Sequence, residues 1–553
     1  MTATYPSGQK SFSQRTDAVD DILATDVNQA YDEIEALEAE LGLNPADKTG
    51  GTAGAYATVK ARLDKAHRAA TFVVAASDAS ADSKQFADYL CDGVADDVQI
   101  NAAIAALPAG GGKVVLSEGT FNIAAVIDEI SGGTLQGQGF GTVIKNSTTG
   151  LAALLRIKGD VTPIANVMVK DIWFDGDNTG GKTQNYLIRL TGTNGTPADC
   201  KNILIDGCYF NDANVVAVGN DSNTEDCQDV IISRCFFQDI DQEAIRFSNS
   251  ERITIKHNHF LDCAKDGGNL SHVLLNSGCV ACLVQGNDFR ATAVIANAYG
   301  VDVGASSRIR ICDNDFYQLE TAIWMEKVAN TLIAITGNIF NSCGKAGVDS
   351  GVIELGTAAT QAPNHITIAN NQFYGSQRRD IENSCTTVAA TDLVIVNNLF
   401  SNNSQDTGDW PAVALGRATD SIVKDNIFET CGKGVIEGAS SDRNSIEDNF
   451  FRSTVSTVIT EVGANSVFRN NKGYTTENTG TGSIANGATS AVITHALAYT
   501  PTRAHITITL GENPTNTPGA IWVDTITATQ FTVNCENDPG ASNLDFSWAV
   551  RRV

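Results

Sequence analysis

The stretch that decides the fold is Ile253-Thr254-Ile255-Lys256-His257-Asn258-His259-Phe260. Two apolar residues alternate with polar ones, an Asn follows two places later, and a Phe closes the pattern. It returns as Ile309-Arg310-Ile311-Cys312-Asp313-Asn314-Asp315-Phe316 and as Ile366-Thr367-Ile368-Ala369-Asn370-Asn371-Gln372-Phe373. With the aromatic as marker, copies end at Phe174, Phe210, Phe237, Phe260, Phe289, Phe316, Phe340, Phe373, Phe400, Phe428 and Phe451, and a degenerate copy ends near Gly473. The spacing runs from 22 to 36 residues, about 27 on average. Nine consecutive copies carry the Asn: Asn258, Asn287, Asn314, Asn338, Asn371, Asn398, Asn426, Asn449 and Asn471. The first three copies have Ile172, Cys208 and Cys235 in its place.

A repeat of this length, with period-2 alternation and no helical face, predicts an all-β solenoid, a parallel β-helix of about twelve coils. Strands of neighbouring coils lie about 4.8 Å apart, so the rod is roughly 55–60 Å long. Asn at the same turn of every coil passes amide hydrogen bonds from coil to coil and tolerates a left-handed turn. The Phe returns inward and stacks. A leucine-rich repeat lacks its Leu consensus here, and propeller blades need longer units.

The chain has 553 residues, 64 acidic and 38 basic side chains, and a net charge of -26. That balance excludes nucleic acid or an anionic membrane as the main partner, because both need clustered Lys and Arg. No apolar run approaches the ~20 residues that cross a bilayer. The opening Met1–Lys10 has neither a basic n-region nor an apolar h-region, so no Sec-type signal peptide is expected. The thirteen cysteines sit mostly in apolar patterns and read as buried free thiols. Cys279 and Cys282 lack a second ligand pair, and His257 and His259 lack a third ligand, so neither a metal nor a cofactor is predicted. The Gly137-Gln138-Gly139 turn is not a phosphate loop.

Residues 17–47 hold ten acids and no base, with Leu23, Val27, Ala30, Ile34, Leu37 and Leu41 on one helical seam. The seam predicts self-association or docking to a partner, the alternative being a surface helix of the same chain. A second short helix is expected over Tyr56–Ala66, a linker over Thr475–Gly487, and an amphipathic helix with Asp96 and Asp97 as N-cap residues that plugs the solenoid's open end.

The run Asp88-Tyr89-Leu90-Cys91-Asp92-Gly93, then Asp96-Asp97, Ile100-Asn101, Ile104, Lys113-Val114-Val115 and Gly119-Thr120-Phe121 resembles the opening motif of the pectate-lyase-like right-handed β-helix superfamily. The form it is most similar to is that of bacteriophage tailspikes and tail fibres. The resemblance spans about residues 70–475 and implies a right-handed single-stranded parallel β-helix. It further implies a homotrimeric virion protein in the phage tail, made in the host cytoplasm. Its helical residues 1–70 would attach to other tail or baseplate proteins, and the rod would recognise a host surface polysaccharide. Depolymerase activity, as glycoside hydrolase or polysaccharide lyase, is compatible with that superfamily. So is a cell-encoded extracellular lyase or epimerase. No catalytic motif of the pectate lyases maps onto this chain.

Residues 476–553 alternate in five short runs and predict a small β-sandwich that knits a trimer or binds glycan, with Trp522 and Trp548 either stacking on sugar or filling the core. Within the rod, strands downstream of the Phe carry acids. If they stack in register, Glu326, Glu354 and Glu382 form a carboxylate ladder at the spacing glycosidases use, with Trp324, Arg378 and Arg379 placed to hold an acidic sugar. Glu437 and Glu461 end comparable strands. A second candidate cluster is Asp239, Asp241 and Glu243 with Arg246. The alternative for both is a chance acid ladder in an acidic chain.

Overall fold

The computed structural model describes residues 70–159, 162–192, 199–221, 225–325, 330–344, 351–356, 362–405, 410–511 and 514–551, with Tyr31 and Ile34. The chain divides into units Met1–Phe72 and Val73–Val553. In the first, Tyr31 and Ile34 are helical and exposed. The rest of the acidic seam and the helix expected at 56–66 lie outside the described residues.

The second unit is a parallel β-helix. A representative coil has strands Thr254–Lys256, His259–Leu261 and Leu270–Asn276, with Asn258 at the corner between the first two. The three strands contribute to three parallel faces, the first two joined into one 28-stranded sheet and the third a sheet of its own. In the first, Ile232, Ile255 and Val284 align; in the second, Phe237, Phe260 and Phe289. In the third, Ile245, Val273 and Val301 align, and that sheet has thirteen strands from Ile127–Asp128 to Thr457–Thr460.

The repeat acts as its spacing predicts. Each ladder Asn after the first receives two donors on its Oδ1 from the preceding Asn, its backbone N–H and its Nδ2, and Asn258 receives Cys235 N–H. Asn287 Oδ1 takes both from Asn258, at 2.9 and 3.0 Å. The series runs unbroken through Asn449 to Asn471. Each Nδ2 also reaches a strand carbonyl of the preceding coil, as Asn287 does to Ile255. The left-handed residue is not the Asn itself but its predecessor: His257, Asp313, Asn370, Asn397, Asp425, Asp448 and Asn470 all have φ near +55°. That kink aims the next side chain into the corner, where its amide replaces strand hydrogen bonds that the bend removes.

Eleven Phe rings from Phe174 to Phe451 stack along the axis, with centroids 4.6–5.3 Å apart. Each buried ring contributes about 1.5–3 kcal/mol of burial and about 0.5–1.5 per stacked pair. The third sheet makes room for the column with small residues. A Cβ on Gly300 would sit 3.0 Å from Phe316, and one on Gly434 2.5 Å from Phe451. Twelve of the thirteen cysteines are buried and all are free.

The plug helix is Asp97–Ala105, with Ile100, Ala103 and Ile104 buried. Asp96 occupies the N-cap position, but its side chain makes no capping hydrogen bond. Asp96 accepts from Gly93 N–H and Asn122 N–H, and Asp97 from Ala124 N–H and Ala125 N–H. Asn101 Oδ1 accepts from Asp128 N–H. The helix therefore supplies acceptors to backbone donors at the open end of the rod, which satisfies an exposed edge.

Gly137–Gly139 is not a separate turn. It lies within the strand Gly133–Asn146, where the register shifts. The stretch expected as a linker is also a strand, Glu477–Ile484, antiparallel to Leu544–Arg551. Its glycines face the largest rings of the partner strand: a Cβ on Gly480 would meet Trp548 at 2.7 Å, and one on Gly482 would meet Phe546 at 2.5 Å. Two three-stranded antiparallel sheets share this C-terminal core, which buries Trp548 and leaves Trp522 exposed.

Candidate functional site

Strand register fixes one row along the third sheet: Arg189, Gly219, Arg246, Leu274, Asp302, Trp324, Glu354, Glu382 and Ala414 are successive partners. Glu354 and Glu382 are thus neighbours on adjacent coils, as expected. The register partner of Glu354 on the preceding coil is Trp324, and Glu326 lies outside the described residues. The acid two strands below Glu354 is Asp302, which sequence reasoning did not single out. Glu437 leaves the row, since Ile436 aligns with Ala414. It accepts from Asn444 Nδ2 and Ser466 Oγ. Glu461 accepts from Tyr474.

The pair is set among rings and cations. Trp324 stacks on Tyr299, with centroids 4.6 Å apart and planes 6° from parallel. Arg379 Nη1 donates to Glu382 at 3.1 Å. Ser384 Oγ donates to Glu354 Oε1 at 3.2 Å. Arg378 and Arg379 both lie over the Trp410 ring, 4.4 and 4.5 Å from its centroid. Tyr299 and Trp410 belong to no repeat motif, so only the structure brings them to the site. Glu354 and Asp302 are buried, while Trp324, Glu382 and both arginines are partly exposed. The strand also turns one acid inward. Asp380 is fully buried and accepts from Ser376 Oγ; burial pushes its carboxyl up to about 8.

The second cluster separates into two groups, Asp239 and Asp241 sharing Lys265, and Glu243 with Arg246. Asp239 meets Lys265 at 3.3 Å, Asp241 accepts from Asn178 at 2.6 Å, and Glu243 pairs with Arg246, which also reaches Asp221 at 3.2 Å. Arg189 holds Glu225 at 3.2 Å two coils away. The Glu243–Arg246 pair lies within one coil and the others bridge coils, with Asp221, Asp239 and Lys265 each more than a third exposed. His259 meets Asp288 at 2.8 Å, and His257 is exposed. Among the described residues no group of three or more His, Cys, Asp or Glu side chains is arranged to hold a metal.

The backbone spacing of the row falls near the carboxyl separations of glycosidases. Strand partners lie about 4.8 Å apart, and carboxyl pairs at about 5–5.5 Å serve retaining glycosidases. Asp302 and Glu354 are two strands apart, about 10 Å at the backbone, near the 6.5–9.5 Å spacing of inverting pairs. Parallel rings beside such acids match the apolar faces of pyranoses.

Residues 271–451 match the family model described as right handed beta helix region. A tailspike protein mutant of E. coli bacteriophage HK620 in complex with a pentasaccharide superposes with a TM-score of 0.55 at 13% identity, covering 94% of this chain and 100% of its own. Another mutant of that tailspike, in complex with a hexasaccharide, gives 0.52 at 14% identity, with 95% and 100% covered. The A-module of a mannuronan C-5 epimerase from Azotobacter vinelandii gives 0.43 at 14% identity, with 69% and 96% covered. No curated protein matches the chain. At these identities the likeness defines the fold: this is a right-handed parallel β-helix protein.

Proposed function

We propose that this chain is a tailspike- or tail-fibre-type virion protein whose third sheet binds and cleaves a host surface polysaccharide. The observation that carries the reading is the in-register pair Glu354–Glu382, flanked by the Tyr299–Trp324 stack on one side and Trp410 with Arg378 and Arg379 on the other. The HK620 tailspike structures, which hold bound oligosaccharides, share this fold over nearly the whole chain. Glu382, which accepts from Arg379, takes the role of nucleophile or base. Glu354, buried and hydrogen-bonded by Ser384, takes the acid role. Trp324 and Trp410 position the sugar rings on either side.

Residues 1–70 are assigned to attachment on the tail, and the assembly to a homotrimer, as the sequence resemblance implies. The test is incubation of the full chain with purified capsules and lipopolysaccharides, reading oligosaccharide release by chromatography. Glu354→Gln and Glu382→Gln should each abolish release while leaving polymer binding intact. Full release by both variants would overturn the assignment. A 58.4 kDa monomer in solution would overturn the trimer.

A further inference from the structure

A second feature lies away from the carboxylate row, on the first face beside the Asn corner. It is a surface cleft of about 330 Å³. Leu204 and Ile231, partners on adjacent strands, line its apolar part. Asp206 lies in it but is already engaged: Arg234 grips it through Nε and Nη2, and Ser233 Oγ donates to it at 2.8 Å. Lys256 and His257 complete the rim.

The charge of this cleft runs against the chain. Lys170, Asp206, Ser233 and Lys256 are successive register partners, so a lysine stands at either end of that row. Neither lysine forms a salt bridge with a carboxylate among the described residues, and Lys170 acts on Asp206 only through its charge, in a chain with 64 acids for 38 bases. Arg234 is largely exposed and its Nη1 remains available beyond the Asp206 grip. Asp171 is the other nearby acid, and its amide partner is Gln136.

Around the corner, the second face presents rings outward. Trp173, Tyr209, Phe236 and His259 are register partners with centroids 5.1, 5.3 and 4.4 Å apart. Phe140 joins Tyr209 at 5.4 Å and is 70% exposed. Rings repeating at the coil spacing offer a shelf to consecutive sugar units.

We infer that this corner is a binding site for a carboxylate-bearing sugar unit, separate from the acidic row of the third sheet. The carboxylate is received by Lys256 and Arg234, the C–H face of the pyranose rests on Leu204 and Ile231, and the chain continues over Tyr209 and Phe236. The inference rests on the reading that this protein binds glycan. It adds a second place where an acidic residue of that glycan docks, apart from the Arg378 and Arg379 pair of the third sheet.

The test uses the full chain and saturation-transfer NMR with two probes, glucuronate and methyl glucoside. Glucuronate should receive saturation and methyl glucoside little. The Lys170→Gln/Lys256→Gln double variant, changed only at the surface, should keep its melting temperature and bind glucuronate about tenfold or more weakly. Raising salt to about 0.5 M should weaken binding to the unaltered protein. No transfer to glucuronate, equal transfer to both probes, or undiminished binding by the double variant would overturn the site. Glucuronate binding that depends on these lysines, in a chain that neither binds nor cuts any polysaccharide, would uphold the cleft and refute the proposed function instead.

Discussion

Replacing Asn338 by alanine isolates the contribution of one rung of the amide ladder. Its Oδ1 accepts from Asn314 N–H and Nδ2, both at 3.0 Å, and its Nδ2 donates to Ile311 C=O at 2.9 Å and Asn371 Oδ1 at 3.1 Å. After truncation, Asn314 Nδ2 still has Val284 C=O, and Asn371 Oδ1 still has the backbone N–H of residue 338. One buried donor loses its partner, Asn314 N–H, while Ile311 C=O keeps its place in the ladder with the strand Thr331–Thr336. At about 1–3 kcal/mol for the stranded donor, the loss is about 1–3 kcal/mol. Aspartate at 338 sharpens the test. Its second oxygen would face Asn371 Oδ1 and Ile311 C=O, acceptor against acceptor, and only protonation restores a donor. Asn338→Asp should therefore be worse than alanine at neutral pH and recover on acidification. Guanidinium unfolding followed by circular dichroism measures both, with Gln372→Ala, an exposed strand residue, as a control expected within about 0.5 kcal/mol of the parent. An Asn338→Ala variant as stable as that control would refute the claim that the ladder holds the coils together.

Burial raises Asp380 to about 8, above its ~3.9 in the unfolded chain. Stability is then fully present below pH ~4 and lost as pH rises toward 8, by about 1.4 kcal/mol per unit. Asp380→Asn should flatten the dependence of melting temperature on pH across that window and raise it at pH 8; an unchanged slope would contradict this. Asp97→Ala strands Ala124 N–H and Ala125 N–H, so it should destabilise by about 1–3 kcal/mol and speed proteolysis near residue 120, read by mass spectrometry. Gly480→Val drives a side chain into Trp548 and should disrupt the C-terminal sheets, seen as a red-shifted tryptophan emission, while far-UV circular dichroism keeps the signal of the rod. Trp324→Ala should lower affinity for a bound oligosaccharide about tenfold or more through loss of stacking, measured by calorimetry.

The rod was legible because its stabilising residues repeat. Asn and Phe recur at fixed distance from an alternating pair, and both columns form as that spacing requires. The third sheet was less legible because the connection between the Phe strand and the third strand changes length from coil to coil. Phe316 to Trp324 is eight residues, whereas Phe340 to Glu354 is fourteen, so counting from the Phe cannot assign register. That is why Glu326 looked aligned with Glu354 when Trp324 is the partner. The glycines at 480 and 482 read as a linker because their purpose is visible only across the strand pair, opposite Trp548 and Phe546. Asp96 and Asp97 look like helix caps in sequence. Their acceptors instead go to the rod's first coil, a long-range pairing that local rules do not contain. Tyr299 and Trp410 carry no motif at all; they matter through what the coiling brings beside them.

The central claim is that the Glu354–Glu382 face binds and cuts a host surface polysaccharide. It is tested most directly by giving the full chain and its Glu354→Gln/Glu382→Gln variant a panel of bacterial capsules and lipopolysaccharides, with binding and oligosaccharide release followed side by side. The account predicts at least one polymer that both proteins bind and only the unaltered protein shortens. Cleavage that survives in the double variant, or no polymer bound by either protein, would contradict it.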